Sequence, residues 1–135
     1  MSVCSGSQVL CRIDRLQTNR ADVSVIAVIL GPDSMVPVKS NHRGSIRIQD
    51  VRSFDVDKAS IEEHFLPGDI VRALTLVAGD AKSCLFSTVG SEYGVVKAKD
   101  DQGNELFPLD ESHMKNSSGL VFRRKVAKPQ WLIDS

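Results

Sequence analysis

The run Gln8-Val9-Leu10-Cys11-Arg12-Ile13-Asp14 decides how this chain is read. Val9, Cys11 and Ile13 fall on one side of an extended backbone, and Gln8, Leu10, Arg12 and Asp14 on the other. That two-residue period marks a half-buried strand. Residues 16–22 form a polar stretch, and Val23 to Leu30 follows, rich in β-branched residues, with Val23, Val25, Ala27 and Ile29 in phase. Two such runs around a polar turn predict an antiparallel hairpin. Gly31-Pro32-Asp33-Ser34 ends the second strand. Met35-Val36-Pro37-Val38 is extended but confined to an edge or a connection, because Pro37 cannot donate a ladder hydrogen bond.

Working outward, Asn41-His42-Arg43-Gly44 introduces a third strand, Ser45-Ile46-Arg47-Ile48, and Gln49 to Arg52 reads as a single turn. Asp57 to Phe65 is a short helix, capped by Asp57 or Ser60, with Glu62 and Glu63 early where the helix dipole favours them. Ile61 and Phe65 share one face of it and are expected to plug an open barrel end, with Phe54 also expected in the core. Pro67-Gly68-Asp69 turns the chain into a fourth strand, Ile70 to Val77, and Gly79-Asp80-Ala81-Lys82 turns it into a fifth, Cys84 to Thr88. The reading is therefore all-β: five short antiparallel strands with a helix between the third and fourth, the plan of an oligonucleotide-binding barrel over residues 6–89. Residues 90–135 predict a small β appendage. Tyr93 to Ala98 and Glu105 to Leu109 flank a turn at Asp100 to Asn104, and Leu120 to Val126 pairs back after a polar loop.

The 135 residues suit one domain, or one small domain with an appendage, able to fold without a disulfide or a metal. Lys+Arg and Asp+Glu each number 17, which argues against a strong free-standing nucleic-acid binder and allows a local basic face. Cys4, Cys11 and Cys84 are widely spaced and form no C-x-x-C pair, so free thiols are expected. No apolar run is long enough to span a bilayer, and the first residues lack the basic and apolar sequence of a secretory leader, so no membrane partner is expected. His42, His64 and His113 are scattered, and no nucleophile elbow, H-E-x-x-H or phosphate-binding glycine loop occurs. No enzyme, catalytic residue, metal, cofactor or small-molecule substrate is expected.

Asn41-His42-Arg43-Gly44-Ser45-Ile46-Arg47 with Asp50-Val51-Arg52, then Phe65-Leu66-Pro67-Gly68-Asp69-Ile70-Val71 and Leu76-Val77-Ala78-Gly79-Asp80-Ala81, resembles the S1-type barrel of the exosome component 1 family. That family is the S1-domain cap subunit of the eukaryotic RNA exosome. Glu92-Tyr93-Gly94-Val95-Val96 and Phe122 to Ala127 extend the likeness over nearly the whole chain. The resemblance implies an S1-type OB barrel followed by a zinc-ribbon-like β region. It also implies a non-catalytic subunit in nucleus, nucleolus and cytoplasm that binds exosome ring subunits. Such a subunit helps guide single-stranded RNA, bound weakly, to 3′-to-5′ exoribonuclease decay and processing. The chain departs from the family in two expected ways: the barrel starts almost at once, without the usual N-terminal domain, and no cysteine follows Cys84, so the C-terminal region is read as having no zinc ligands.

Arg43 and Arg47 share a strand face with Ser45 and are, with Arg52, the leading RNA-contact candidates, since guanidinium groups hold phosphates or stack on bases. His42 is a candidate stacking partner, and Phe86 is either core or platform. Arg123, Arg124, Lys125 and Lys128 form a second basic cluster suited to RNA or to a neighbouring subunit. Trp131-Leu132-Ile133 reads as a terminal hydrophobic latch. Two alternatives stay open: a structural bridge that makes no useful RNA contact, and an S1-type module of a larger RNA-processing protein.

Overall fold

The computed structural model describes residues 5–31, 34–38, 42–52, 61, 64–77, 84–90, 92–110 and 112–127. Its strands are β1 (Gln8–Leu16), β2 (Arg20–Gly31), β3 (Ser34–Pro37), β4 (Arg43–Arg47), β5 (Ile70–Val77), β6 (Cys84–Ser87), β7 (Gly94–Lys97), β8 (Phe107–Asp110), β9 (His113–Lys115) and β10 (Val121–Arg123). β1, β2, β4, β6 and β5 follow one another around a closed ring, because β5 pairs back with β1. This is the expected five-stranded barrel, with one refinement: β4 and β6 run parallel, Ile46 beside Phe86.

The alternation that nominated β1 holds. Val9, Cys11 and Ile13 point inward and are almost fully buried, facing Val23 and Val25 of β2, Ile46 of β4, Val71 and Ala73 of β5 and Phe86 of β6. Each Val, Ile or Phe among them contributes about 1.5–3 kcal/mol on burial. The hairpin turn is tighter than the polar stretch suggested: only residues 17–19 lie between the strands, with the Gln17 amide donating to the Arg20 carbonyl at 2.8 Å. A register shift then sets Leu10 against Ala27 and Cys11 against Val25, so Val28 is buried where Ile29 was expected. β3 pairs with β2 alone among the described strands, and Pro37 is exposed, as an edge proline requires.

The described part of the Asn41 to Arg52 motif is mostly structural. A Cβ on Gly44 would collide with the Cys84 carbonyl and come within 2.8 Å of the Phe86 ring, so only glycine lets β4 lie this close to β6. Ile46 and Val51 are core residues, and Arg47 Nε donates to Asp50 Oδ2 at 2.7 Å across a 3₁₀ turn at Ile48–Asp50. The carbonyls of Asp50 and Val51 accept from the Thr88 amide and hydroxyl at 2.8 and 2.9 Å, fixing that turn under the end of β6. Ile61 and Phe65 are buried, with the Phe65 amide donating to the Ile61 carbonyl at 3.0 Å. Residues 57–60, 62 and 63 of the expected helix, with Phe54, lie outside the described residues.

After the barrel, β7 joins the same sheet by pairing with β5, which carries it across the expected boundary at 89/90. The hairpin tip at residues 100–104 forms as expected: the Asp100 carboxylate accepts the amides of Gln102 and Asn104 at 2.9 and 2.8 Å. The polar loop instead contains β9, which pairs with both β8 and β10 in a separate three-stranded sheet. Leu106, Met114 and Val126 pack into the barrel's own core cluster.

Gly44→Val is expected to destabilise the fold by about 3 kcal/mol, because backbone has to move to admit the side chain. Urea denaturation of the two proteins measures this; midpoints within error of each other would show that the close β4–β6 approach is not required.

Candidate nucleic-acid interface

Arg43 and Arg47 lie on β4, whose inward residues are Gly44 and Ile46, so both guanidinium groups face outward with Ser45 between them. β4 pairs with β2, and β2 with β1, which extends the polar face across three strands. Arg43 stands against Ser24 and Ser24 against Arg12; Ser45 stands against Asp22 and Asp22 against Arg15; Arg47 stands against Arg20. Five arginines share this face with three aspartates. The pairs are short: Arg12 with Asp14 at 2.8 Å, Arg20 with Asp22 at 3.1 Å and Arg47 with Asp50 at 2.7 Å. The Ser24 hydroxyl also donates to Asp14, and the Gln17 amide group donates to Asp22 at 2.9 Å. Exposed pairs of this kind contribute little to stability, but they fix where each guanidinium points. Arg15 and Arg43 carry no ion pair among the described residues, so their charge is open to a phosphate.

The remaining expected contacts divide. His42 is half-buried, and its carbonyl accepts the Val25 amide at 2.9 Å. Arg52 is half-buried beside the 3₁₀ turn. Phe86 is 0% exposed and packs inside the barrel, so the choice between core and platform falls to core. Arg12, Arg15 and Arg20 complete the face and went unselected in the sequence; the polar phase of β1 held the signal for Arg12, but only strand register places it beside Arg43.

The second basic cluster is dispersed by the fold. Arg123 is exposed and Lys128 lies outside the described residues, as does Trp131. Lys125 Nζ donates to the carbonyls of Gly90 and Tyr93 at 2.9 and 2.6 Å. Arg124 is 4% exposed, and its Nε donates to Asp69 Oδ2 at 2.7 Å. A buried guanidinium committed to a carboxylate has no face for RNA, so Arg124 is a structural residue. Burial pushes the Asp69 carboxyl above its ordinary value, against the opposing pull of the Leu66 amide and of Arg124. Around this pair the chain is strapped down: the Arg124 amide donates to the Ser112 carbonyl at 2.9 Å, the Lys125 amide to the His64 carbonyl at 2.9 Å, and the Val95 amide to the Lys125 carbonyl at 2.6 Å. Gly94, at φ +138°, has no room for a Cβ against the Lys125 carbonyl. Burial likewise raises the Cys11 thiol far above its ordinary value, so it stays protonated and inert.

A family model described as exosome component EXOSC1/CSL4 matches residues 31–78. The chain is 37% identical over 125 residues to the exosome complex component csl4 of Schizosaccharomyces pombe, covering 92% of this chain and 66% of that protein. It is 35% identical over 127 residues to the exosome complex component CSL4 of Homo sapiens, covering 93% of this chain and 63% of that protein. The mouse CSL4 component is 34% identical over the same length. The chain thus spans slightly under two thirds of the length of these curated relatives.

Arg124→Ala is expected to cost about 3–5 kcal/mol, since it strands the buried Asp69 carboxylate. Thermal and urea unfolding measure the loss; a change under about 1 kcal/mol would mean that water replaces the guanidinium without penalty.

Proposed function

The chain belongs to the EXOSC1/CSL4 family of exosome components, and from that premise we propose that it is a non-catalytic subunit of an RNA exosome, seated on the ring subunits as part of the cap. In this reading the barrel helps guide single-stranded RNA toward the 3′-to-5′ exoribonuclease for decay and processing, in nucleus, nucleolus and cytoplasm. The observation that carries the RNA part is the outer face of β1, β2 and β4, where Arg43 and Arg15 have no ion pair among the described residues and stand beside three ion-paired arginines. Guanidinium groups on an OB-type strand face suit a phosphate backbone. Only part of that charge is free, so the expected binding is weak and salt-sensitive, and useful chiefly where neighbouring subunits hold the same strand.

A second reading has its own support. Arg12, Arg20 and Arg47 are each held by an aspartate, and Phe86 offers no stacking surface. A face so compensated also suits a structural bridge between ring subunits that never engages RNA productively.

Affinity capture of the chain from its native extract, followed by mass spectrometry, is expected to recover exosome ring subunits; their absence from repeated captures of the full-length gene product would contradict the assembly role. Titration with labelled oligo(U) separates the two readings. Arg15→Ala with Arg43→Ala is expected to weaken binding and to flatten the salt dependence by roughly 0.7 log unit per log unit of salt for each lost phosphate contact. An unaltered affinity and slope would favour the bridge.

A further inference from the structure

Among the described residues, Phe107 is the phenyl or phenol ring that solvent reaches most broadly. It is 48% exposed, whereas Phe65 and Phe86 are 0% and Tyr93 is 6% exposed. Phe107 opens β8, and strand register fixes its neighbours. It pairs with Lys115 of β9, which pairs with Val121 of β10; the next row on the same face is Asp110, His113 and Arg123. Met114 and Phe122 occupy the opposite face and pack against the core. This sheet therefore presents an aromatic ring, Lys115, Arg123 and an imidazole together to solvent. Among the described residues of these rows Asp110 is the acid, and its Oδ1 lies 2.8 Å from His113 Nδ1 and accepts the Ser112 amide at 2.8 Å.

We propose that the outer face of β8, β9 and β10 is a second contact surface for single-stranded RNA, with Phe107 as the stacking ring and Lys115 as a phosphate partner. The proposal deepens the RNA reading above and rests on it. Sheet faces that bind single strands combine an exposed aromatic, on which any base can stack, with cations that follow the backbone. Leu109 and Leu120 are also exposed and would suit an apolar protein partner. A lysine at the centre of the face weighs against that occupant, because the buried core of a protein interface is depleted in charge and in lysine particularly.

The test is fluorescence anisotropy of labelled oligo(U) on the full chain, with Phe107→Ala, Phe107→Tyr, Lys115→Ala and Arg43→Ala. Phe107→Ala is expected to weaken binding about 10-fold, and Phe107→Tyr to retain wild-type affinity within about 2-fold, since one base stack is lost in the first and kept in the second. Lys115→Ala is expected to reduce the salt slope. Ultraviolet crosslinking of the unmutated chain, expected to mark peptides containing residues 107–115, keeps the question answerable should a variant fold poorly. Unchanged affinity of Phe107→Ala alongside weakened Arg43→Ala would overturn this surface and leave the barrel reading standing. No oligo(U) binding by the wild-type chain would overturn both. Normal RNA affinity with loss of a captured exosome subunit would give the face to a protein partner and likewise overturn the inference.

Discussion

The contact between Asp69 and Arg124 holds together parts of the chain that the sequence separates by 55 residues. Asp69 belongs to the Pro-Gly-Asp turn that enters β5, where its carbonyl accepts the Ile13 amide at 2.8 Å and so fixes β1 as well. Arg124 follows β10 and leads into the strap that runs beside β7. With both side chains almost fully buried, neither charge has water to fall back on, and losing one partner leaves the other in an apolar setting. The pair is therefore a poor source of net stability and a strong determinant of arrangement. It ties the three-stranded sheet to the barrel, and Met114 and Val126 then complete a core shared by the two.

The second constraint is steric. Closing a small barrel brings β4 against β6 in the one parallel pairing among the barrel strands, and Gly44 is what allows the approach. Most of the Asn41 to Arg52 motif then finds a structural reason: Gly44 for proximity, Ile46 and Val51 for core, Arg47 and Asp50 for the turn. Among the described residues Arg43 faces outward with no ion pair, which makes it the position of that motif where the proposed recognition is least tied to the fold.

Much of the barrel was legible in the sequence because β1 and most of β5 alternate and the turns carry Gly, Pro and Asp. β1 and β5 follow their patterns through Ala73 and Thr75, and the edge role of β3 follows from Pro37. What escaped was short or non-local. β9 is three residues long, too brief for any period to register, and it hid in a polar loop. The burial of Arg124 depends on a partner far away in sequence, so a run of basic residues looked like a surface. Alternation placed Phe86 on one face of β6 without saying which face was inside; barrel closure decides that. The register that assembles Arg12, Arg15 and Arg20 beside Arg43 is likewise tertiary information.

The proposed role is that of a small β subunit whose exposed cations meet RNA inside a larger assembly. Crosslinking of RNA to the assembled exosome, read out by mass spectrometry of crosslinked peptides, tests that most directly. The account predicts adducts on this chain within β4 and its neighbours in β1 and β2, reproducibly and at low salt above high. RNA crosslinked to the surrounding subunits, with this chain unmarked in the same sample, would contradict it.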